Sequence, residues 1–139
     1  MESVILCLAL NVYFEARNQP IDGQVAVSQV VINRVLDERY PNDPCEVVTQ
    51  GPTYPDSTLP IKHKCQFSWY CDGKVDVPSD LDAFRWSVKL AMDVLADRVV
   101  DVTYGATHYH ATRVTPDWSH RAHHTVTIGD HIFYRWEHD

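Results

Sequence analysis

The chain has 139 residues, a length that fits one domain, and 45% of its residues are hydrophobic, which is enough for a single buried core. Acidic residues outnumber Lys and Arg by 19 to 12, and the formal net charge is -7. Because no basic cluster interrupts this composition, nucleic acid is not expected as a ligand. The apolar N-terminal stretch is too short to span a bilayer and lacks a preceding basic region, so neither membrane insertion nor a signal peptide is expected.

The first predicted element is an apolar helix that begins after Ser3, whose hydroxyl can cap it. Val4, Leu8 and Val12 recur every four residues, and the flanking positions are also apolar. The helix is therefore expected to be buried on nearly all sides.

Glu15 lies at the end of this apolar helix, where a carboxylate is unusual. Desolvation by aromatic neighbours and the negative end of the helix dipole both disfavour the ionised form, so we expect a carboxyl group held protonated near neutral pH. Such a group is suited to general acid catalysis. The alternative is an ordinary ion pair with Arg17 or Arg34 at a solvated helix end.

Three further elements are predicted before the middle of the chain. A valine-rich helix over residues 22–39 would be held by packing rather than by propensity. Asp43 followed by Pro44 is typical of a helix start, so a short helix is predicted over residues 43–48. Residues 50–60 are dense in turn formers, and a loop of this length is more often functional than not.

A third long helix is predicted over residues 79–97, and the pattern then changes to alternation, with strands at 107–110, 125–128 and 131–136. The face of this helix that is expected to enter the core carries Leu81, Phe84, Val88, Ala91, Met92 and Leu95. The chain is therefore predicted to form an α+β domain, with helices first and a small antiparallel sheet last.

The chain has four cysteines. Cys7 lies in the apolar helix and is interpreted as a small buried apolar residue. Cys45, Cys65 and Cys71 cluster in the middle of the chain, where a disulfide can form in an oxidising compartment, but an odd number leaves the pairing open. A zinc knuckle is not expected, because no close CxxC pair occurs.

Several segments together resemble the SleB-like cell wall hydrolases, the spore-cortex-lytic family, and the similarity covers residues 6–136. Their order and spacing, rather than any single motif, make the resemblance specific. The segments are NVYFEAR at 11–17, GQVAV at 23–27, VINRV at 31–35, CQFSW at 65–69 with CDG at 71–73, GATHYH at 105–110, PDW at 116–118 and IGDHIFY at 128–134.

This resemblance implies a lysozyme-like fold related to lytic transglycosylases and resuscitation-promoting factors, acting on the glycan strands of peptidoglycan without a cofactor. The catalytic Glu of the family maps onto Glu15. Most glycosidases use two carboxylates, and this sequence offers no second one in an apolar setting. A lytic transglycosylase needs only one, because the C6 hydroxyl of muramic acid attacks its own C1 and forms a 1,6-anhydro product. A hydrolytic muramidase with the same Glu is the alternative.

Residues that suit sugar binding are expected to line the cleft, because aromatic faces pack on sugar rings and polar groups bond their substituents. Phe67 is expected in the core, and Asn33 and Arg34 are expected to fix helix contacts rather than to touch substrate. The predicted substrate-binding residues are Gln66, Ser68, Trp69, Tyr104, His108, Tyr109 and Trp118.

The histidines support a rival hypothesis. His108 and His110 alternate on one predicted strand, so both side chains would face the same side. Zinc amidases and peptidases use such ligands, and a metal-dependent peptidoglycan amidase or peptidase is therefore the second hypothesis. The absence of an HExxH pattern argues against it. The other histidines nearby are His120, His123, His124 and His131.

Residues 1–139 are therefore expected to form one catalytic domain that works as a monomer. The absence of a leader and of wall-binding repeats fits a bacteriophage endolysin that waits in the host cytoplasm and then acts on the cell wall. An exported bacterial enzyme is the alternative. A third hypothesis, a wall-binding module without activity, is disfavoured by the intact Glu15.

Overall fold

The computed structural model describes residues 3–138, in which helices come first and a small sheet follows, as predicted. Two short 3-10 helices, Ser68–Cys71 and Asp117–His120, lie between the main elements. The main elements are α1 (Val4–Ala16), α2 (Ile21–Leu36), α3 (Pro44–Val48), α4 (Leu81–Leu95), β1 (His108–Ala111), β2 (His123–Ile128) and β3 (His131–Arg135).

Helix α1 lies at the centre of the fold and contacts all three other helices. Its N-terminus is capped by Ser3, whose hydroxyl accepts from the backbone N–H of Leu6 at 3.5 Å. Leu8 and Val12 are fully buried, so the predicted burial is confirmed from Cys7 onward. The first turn is more open, and Leu6 remains 40% exposed.

The three strands form an antiparallel sheet in the order β1-β3-β2. Gly129 takes a positive φ of 56° in the turn between β2 and β3, a backbone conformation that glycine adopts readily. In β1, Tyr109 pairs with Phe133 of β3, and the ring of Phe133 is fully buried against the helices. This register fixes where the β1 side chains meet the helical part of the molecule.

The predicted core face of α4 is partly wrong. Leu81 and Met92 are 61% and 52% exposed, whereas Ser87 and Leu90 are buried. The stripe that enters the core is Ser87, Leu90, Ala91 and Val94. A serine can lie there because its hydroxyl donates to the carbonyl of Ala83 at 3.1 Å, which satisfies the buried polar group.

Cys7 is buried in the core, at 3% exposure, as predicted, but it also forms a disulfide that the sequence did not indicate. Helix α3 packs on α1 and brings Cys45 to a Cα–Cα distance of 5.1 Å from Cys7, where the two form a disulfide. Cys65 and Cys71 form a second disulfide, which closes the loop that carries the first 3-10 helix. No free cysteine remains among the described residues.

None of the described helices is long and apolar enough to cross a membrane. The predicted loop at residues 50–60 is largely exposed and is closed by an isolated bridge between Thr53 and Pro60. Its suggested functional role stays a prediction.

Candidate active site

Glu15 lies in the last turn of α1, between two cavities. The first, here called the sheet-side cavity, has a volume of about 300 Å³. Its lining residues besides Glu15 are Arg34, Gln66, Phe67, His108, Tyr109, His110, Val114, Pro116 and Trp118. The second, here called the loop-side cavity, has a volume of about 310 Å³. Its lining residues besides Glu15 are Phe14, Arg17, Ser68, Trp69, Asp72, Lys74, Val75 and Asp76.

The carboxyl group of Glu15 accepts a hydrogen bond at Oε1 from the hydroxyl of Tyr109. Burial is the larger influence and raises the pKa of Glu15 above its ordinary value, while the bond from Tyr109 acts in the opposite direction. Burial, followed by the nearby Glu15, raises the pKa of Tyr109 well above its ordinary value, so this phenol keeps its proton and can donate it. The direction predicted for Glu15 from the sequence is therefore found in the structure.

Neither neighbouring arginine forms an ion pair with Glu15 in the described part of the chain. Arg17 donates to the carbonyl of Tyr13 at 3.3 Å and lies over the Tyr13 ring at 4.7 Å. Arg34 donates through Nε to the carbonyl of Thr107 at 2.7 Å. The alternative of an ordinary Glu15 ion pair at a solvated helix end is therefore not observed.

His108 and His110 face the same side of β1, as predicted, and both rings contact Trp118. Burial, with smaller contributions from Arg34 and Arg39, lowers the pKa of His108 to about 4, so this ring is neutral at neutral pH. The Nε2 of His110 lies 2.8 Å from the hydroxyl of Tyr134. Among the described residues, no group of three or more His, Cys, Asp or Glu side chains is placed to hold a metal ion.

The predicted substrate-binding residues divide between the two cavities. Gln66, His108, Tyr109 and Trp118 line the sheet-side cavity. Ser68 and Trp69 line the loop-side cavity. Tyr104 lines neither of the two; it is 69% exposed on the loop before β1, and its carbonyl accepts from Arg135 at 3.4 Å. Their contacts with a substrate stay predictions.

Two aromatic residues of the predicted site segment are largely packed. Phe67 is 3% exposed, which confirms its predicted place in the core. Trp69 is 7% exposed, and its indole N–H donates to Oδ1 of Asn11 at 2.9 Å. Its ring also stacks on Phe14 at 5.1 Å. Trp69 therefore holds the loop against α1, and little of its surface is left for a ligand.

The sequence did not point to several residues that border Glu15. The sequence predicts helix contacts for Arg34, although a charged side chain inside a valine-rich helix is itself a signal of a special role. Asp72, Lys74 and Asp76 lie on an irregular loop without any periodic pattern. Burial, followed by the charge of Asp72, raises the pKa of Asp76. The loop-side cavity is thus bordered by two carboxyl groups, those of Asp72 and Asp76, in addition to Glu15.

Comparison with known proteins identifies relatives over nearly the whole chain. The curated spore cortex-lytic enzyme of Halalkalibacterium halodurans is 30% identical over 131 residues, which are 93% of this chain and 34% of that protein. The chain thus spans about a third of the length of that relative. The catalytic domain of the SleB protein of Bacillus cereus superposes with a TM-score of 0.67 and 26% identity, covering 95% of this chain and 89% of that domain.

A second solved structure, the catalytic domain of the germination-specific lytic transglycosylase SleB of Bacillus anthracis, has a TM-score of 0.70 and 27% identity, with 97% of this chain and 96% of that domain covered. The α+β architecture is therefore that of the SleB catalytic domains. The sequence profile of the Cell Wall Hydrolase family, Hydrolase_2, matches residues 18–134, a range that begins just after Glu15. The profile match and the superpositions together confirm the resemblance found in the sequence: this chain belongs to the cell wall hydrolase family.

Proposed function

We propose that this protein degrades peptidoglycan by cleaving the glycan bond between N-acetylmuramic acid and N-acetylglucosamine, with Glu15 as its acid and base. The observation that carries the proposal is the partly buried carboxyl group of Glu15, with a raised pKa, at the junction of two cavities. Membership of the cell wall hydrolase family supports it, as does likeness to a spore cortex-lytic enzyme and to a lytic transglycosylase. We place the fold with the lysozyme-like enzymes on the same grounds.

The proposed reaction is a lytic transglycosylation in two proton transfers. The protonated carboxyl of Glu15 gives its proton to the glycosidic oxygen, and the bond from that oxygen to C1 of the muramic residue breaks. The C6 hydroxyl of the same residue then attacks C1, and the Glu15 carboxylate takes the proton that this hydroxyl loses. The products are a 1,6-anhydromuramic end and a free glucosamine end, so one carboxyl group returns to its starting state.

Tyr109 supports the first step through its bond to Oε1 of Glu15. A phenol that keeps its proton can donate to the carboxylate that forms after the first transfer, and a donor to the charged form stabilises that form. Because Oε1 is occupied, the other oxygen, Oε2, is the one that exchanges the proton with the sugar. Glu15 then needs no cationic partner.

The walls of the cleft suit a glycan strand. Trp118 lines the sheet-side cavity with its ring in contact with His108, and Gln66 adds an exposed amide to the lining of the same cavity. Ser68 offers a hydroxyl to the loop-side cavity. Aromatic faces and a few polar groups of this kind are what carbohydrate sites combine.

A hydrolytic muramidase is the second candidate, and the loop-side cavity favours it. Asp72 and Asp76 border this cavity together with Glu15. A second carboxylate that faces the same sugar can activate a water molecule, as in inverting glycosidases. The product would then carry a reducing end in place of the anhydro end.

We further propose that residues 1–139 act as one catalytic domain, as a monomer, in the cell envelope. Two disulfides fit an oxidising compartment. A bacteriophage endolysin that is released from the host cytoplasm and an exported bacterial enzyme both meet this condition.

Release of soluble fragments from dye-labelled peptidoglycan tests the proposal. The wild-type protein should release dye, and Glu15→Gln should lower the rate by about 10²- to 10⁴-fold, the range expected when a general acid is lost. Glu38→Gln, an exposed glutamate at the end of α2, is the matched control and should keep the wild-type rate. Sedimentation with insoluble peptidoglycan should show equal binding for both variants. A wild-type protein that binds without releasing dye would instead be a binding module.

A further inference from the structure

Arg34 is a buried cation that lines the sheet-side cavity together with Glu15. It is only 3% exposed, and no Asp or Glu of the described residues forms an ion pair with it. Its guanidinium lies over the Tyr40 ring at 4.9 Å and near the Phe67 ring at 5.7 Å. These π faces stabilise a cation only in part, and a buried charge without a counterion is costly. Arginine keeps its charge in proteins, so the charge cannot be lost by deprotonation.

The hydrogen-bonding capacity of Arg34 is mostly unused. A guanidinium has five N–H groups, and here only the Nε–H is paired, with the carbonyl of Thr107 at 2.7 Å. Nη1 is buried and has no hydrogen-bond partner, and Nη2 makes no hydrogen bond to any described residue. Since buried polar groups are normally paired, these free donors point to an acceptor that a ligand supplies.

The position of Arg34 decides which ligand group can supply that acceptor. Arg34 and Glu15 line the same cavity of about 300 Å³. If the muramic residue whose C1 bond Glu15 cleaves occupies the sheet-side cavity rather than the loop-side cavity, it lies next to Arg34. The two alternating sugars of peptidoglycan have the same ring and the same N-acetyl group, and they differ only in the lactyl ether on O3 of muramic acid. The lactyl group ends in a carboxylate, or in an amide carbonyl when a peptide is attached, and both are strong acceptors.

We propose that the guanidinium of Arg34 binds the lactyl group of the muramic residue in the sheet-side cavity, an assignment that rests on the proposed function. The Nε–H of Arg34 is bonded to the carbonyl of Thr107 and Nη1 is buried, so Nη2 is the group left to donate to the lactyl carboxylate or to the amide carbonyl. Arg34 is thus a specificity-determining residue that distinguishes peptidoglycan from chitin, whose sugars lack the lactyl group. Without a lactyl group Nη2 has no acceptor from the ligand and the buried guanidinium keeps its charge unpaired, which penalises the wrong glycan.

Titration calorimetry on the inactive Glu15→Gln protein tests this assignment with three tetrasaccharides. The first alternates N-acetylglucosamine with N-acetylmuramic acid, the second is the same compound with its lactyl carboxyl groups reduced to alcohols, and the third is chitotetraose. We expect the first to bind about tenfold or more tightly than the other two. The comparison uses one protein, so it does not depend on whether an Arg34 variant folds.

The same three ligands are then measured with Arg34→Lys added to Glu15→Gln. Lysine keeps the charge but lacks the planar fork, so the preference for the lactyl compound should fall several-fold while chitotetraose binding changes little. Arg85→Gln removes an exposed cation on α4 and should leave the preference intact. The assignment is overturned if the three ligands bind equally to Glu15→Gln, or if Arg34→Lys weakens all three alike. A wild-type protein that still digests peptidoglycan in that case would leave the proposed function standing.

Discussion

The hydroxyl of Tyr109 donates a hydrogen bond to Oε1 of Glu15, although 94 positions separate the two residues in the chain. The contact joins the last turn of α1 to β1, so the proposed acid is completed only when the sheet docks on the helices. The ring of Tyr109 is fixed by its contact with the buried Phe133 at 5.5 Å. The electrostatic environment of Glu15 therefore depends on this tertiary contact as well as on its own helix.

Tyr109→Phe should move the alkaline limb of the pH–rate profile to higher pH. Activity requires protonated Glu15 and is lost as the pH rises through its pKa. The bond from Tyr109 lowers this pKa, so its removal should raise the pKa further. The value of kcat should fall as well, because the carboxylate formed in the first step loses its donor. The pH dependence of kcat/KM measures the shift, with Tyr54→Phe, an exposed tyrosine that lines neither cavity, as control. An unchanged alkaline limb would show that the bond does not tune the acid.

Glu15→Gln should flatten part of the pH dependence of stability. The folded-state pKa of Glu15 is raised, so the folded protein binds more protons than the unfolded one and loses stability as the pH rises from about 4.3 through the folded-state pKa. Glutamine mimics the neutral form and does not ionise. The variant should match the wild type near pH 4 and be at least as stable at pH 7, as measured by urea unfolding at each pH. A variant that becomes relatively less stable as the pH rises would contradict a raised pKa.

His108 should make the folded protein less stable as the pH falls, which is the opposite of the effect expected from Glu15. Its pKa is lowered from 6.5 to about 4 in the folded state, so the unfolded chain binds the additional proton as the pH falls through this window. The wild type should therefore lose stability between pH 6.5 and pH 4 through this group. His108→Gln, compared with the exposed His63→Gln, should lose less over that range in the same unfolding measurement. Equal pH slopes for all three proteins would show that His108 is not desolvated.

The local features of this protein could be predicted from its sequence, and the features that depend on tertiary contacts could not. The apolar run before Glu15, the cap at Asp43 and the alternation after residue 107 each lie within a few neighbouring residues, and the corresponding elements are present. The Cys7–Cys45 disulfide depends instead on how α3 packs on α1.

The same distinction applies within the candidate site. The apolar helix around Glu15 was enough to predict the direction of its pKa. Tyr109 could be predicted near the cleft, but its bond to Glu15 depends on how β1 docks on the helices. Arg34 is expected to fix helix contacts, and in the structure it bonds to the carbonyl of Thr107, which joins α2 to the segment before β1 rather than to another helix. Its place in the cavity wall follows from how α2 packs against the sheet, which no local pattern records.

The two disulfides should have separable effects. Closing a loop of 38 residues removes about 4 kcal/mol of unfolded-state entropy, against about 2 kcal/mol for a loop of 6 residues. Replacing Cys7 and Cys45 by Ala should therefore lower stability more than replacing Cys65 and Cys71. The second pair closes the loop that carries Ser68, so its loss should raise KM more. Thermal unfolding and steady-state kinetics of the two double variants would test this ranking. The reverse order for both quantities would contradict it.

The central claim is that Glu15 cleaves the glycan strand, and mass spectrometry of the fragments released from purified peptidoglycan tests it most directly. Wild type and Glu15→Gln are compared, each with and without a chelator. The wild type should release fragments with 1,6-anhydromuramic ends, both with and without the chelator. Glu15→Gln should release none of them. Reducing muramic ends that depend on Glu15 would identify a muramidase. Free peptides whose release stops with the chelator, or glycan cleavage that survives Glu15→Gln, would contradict the claim.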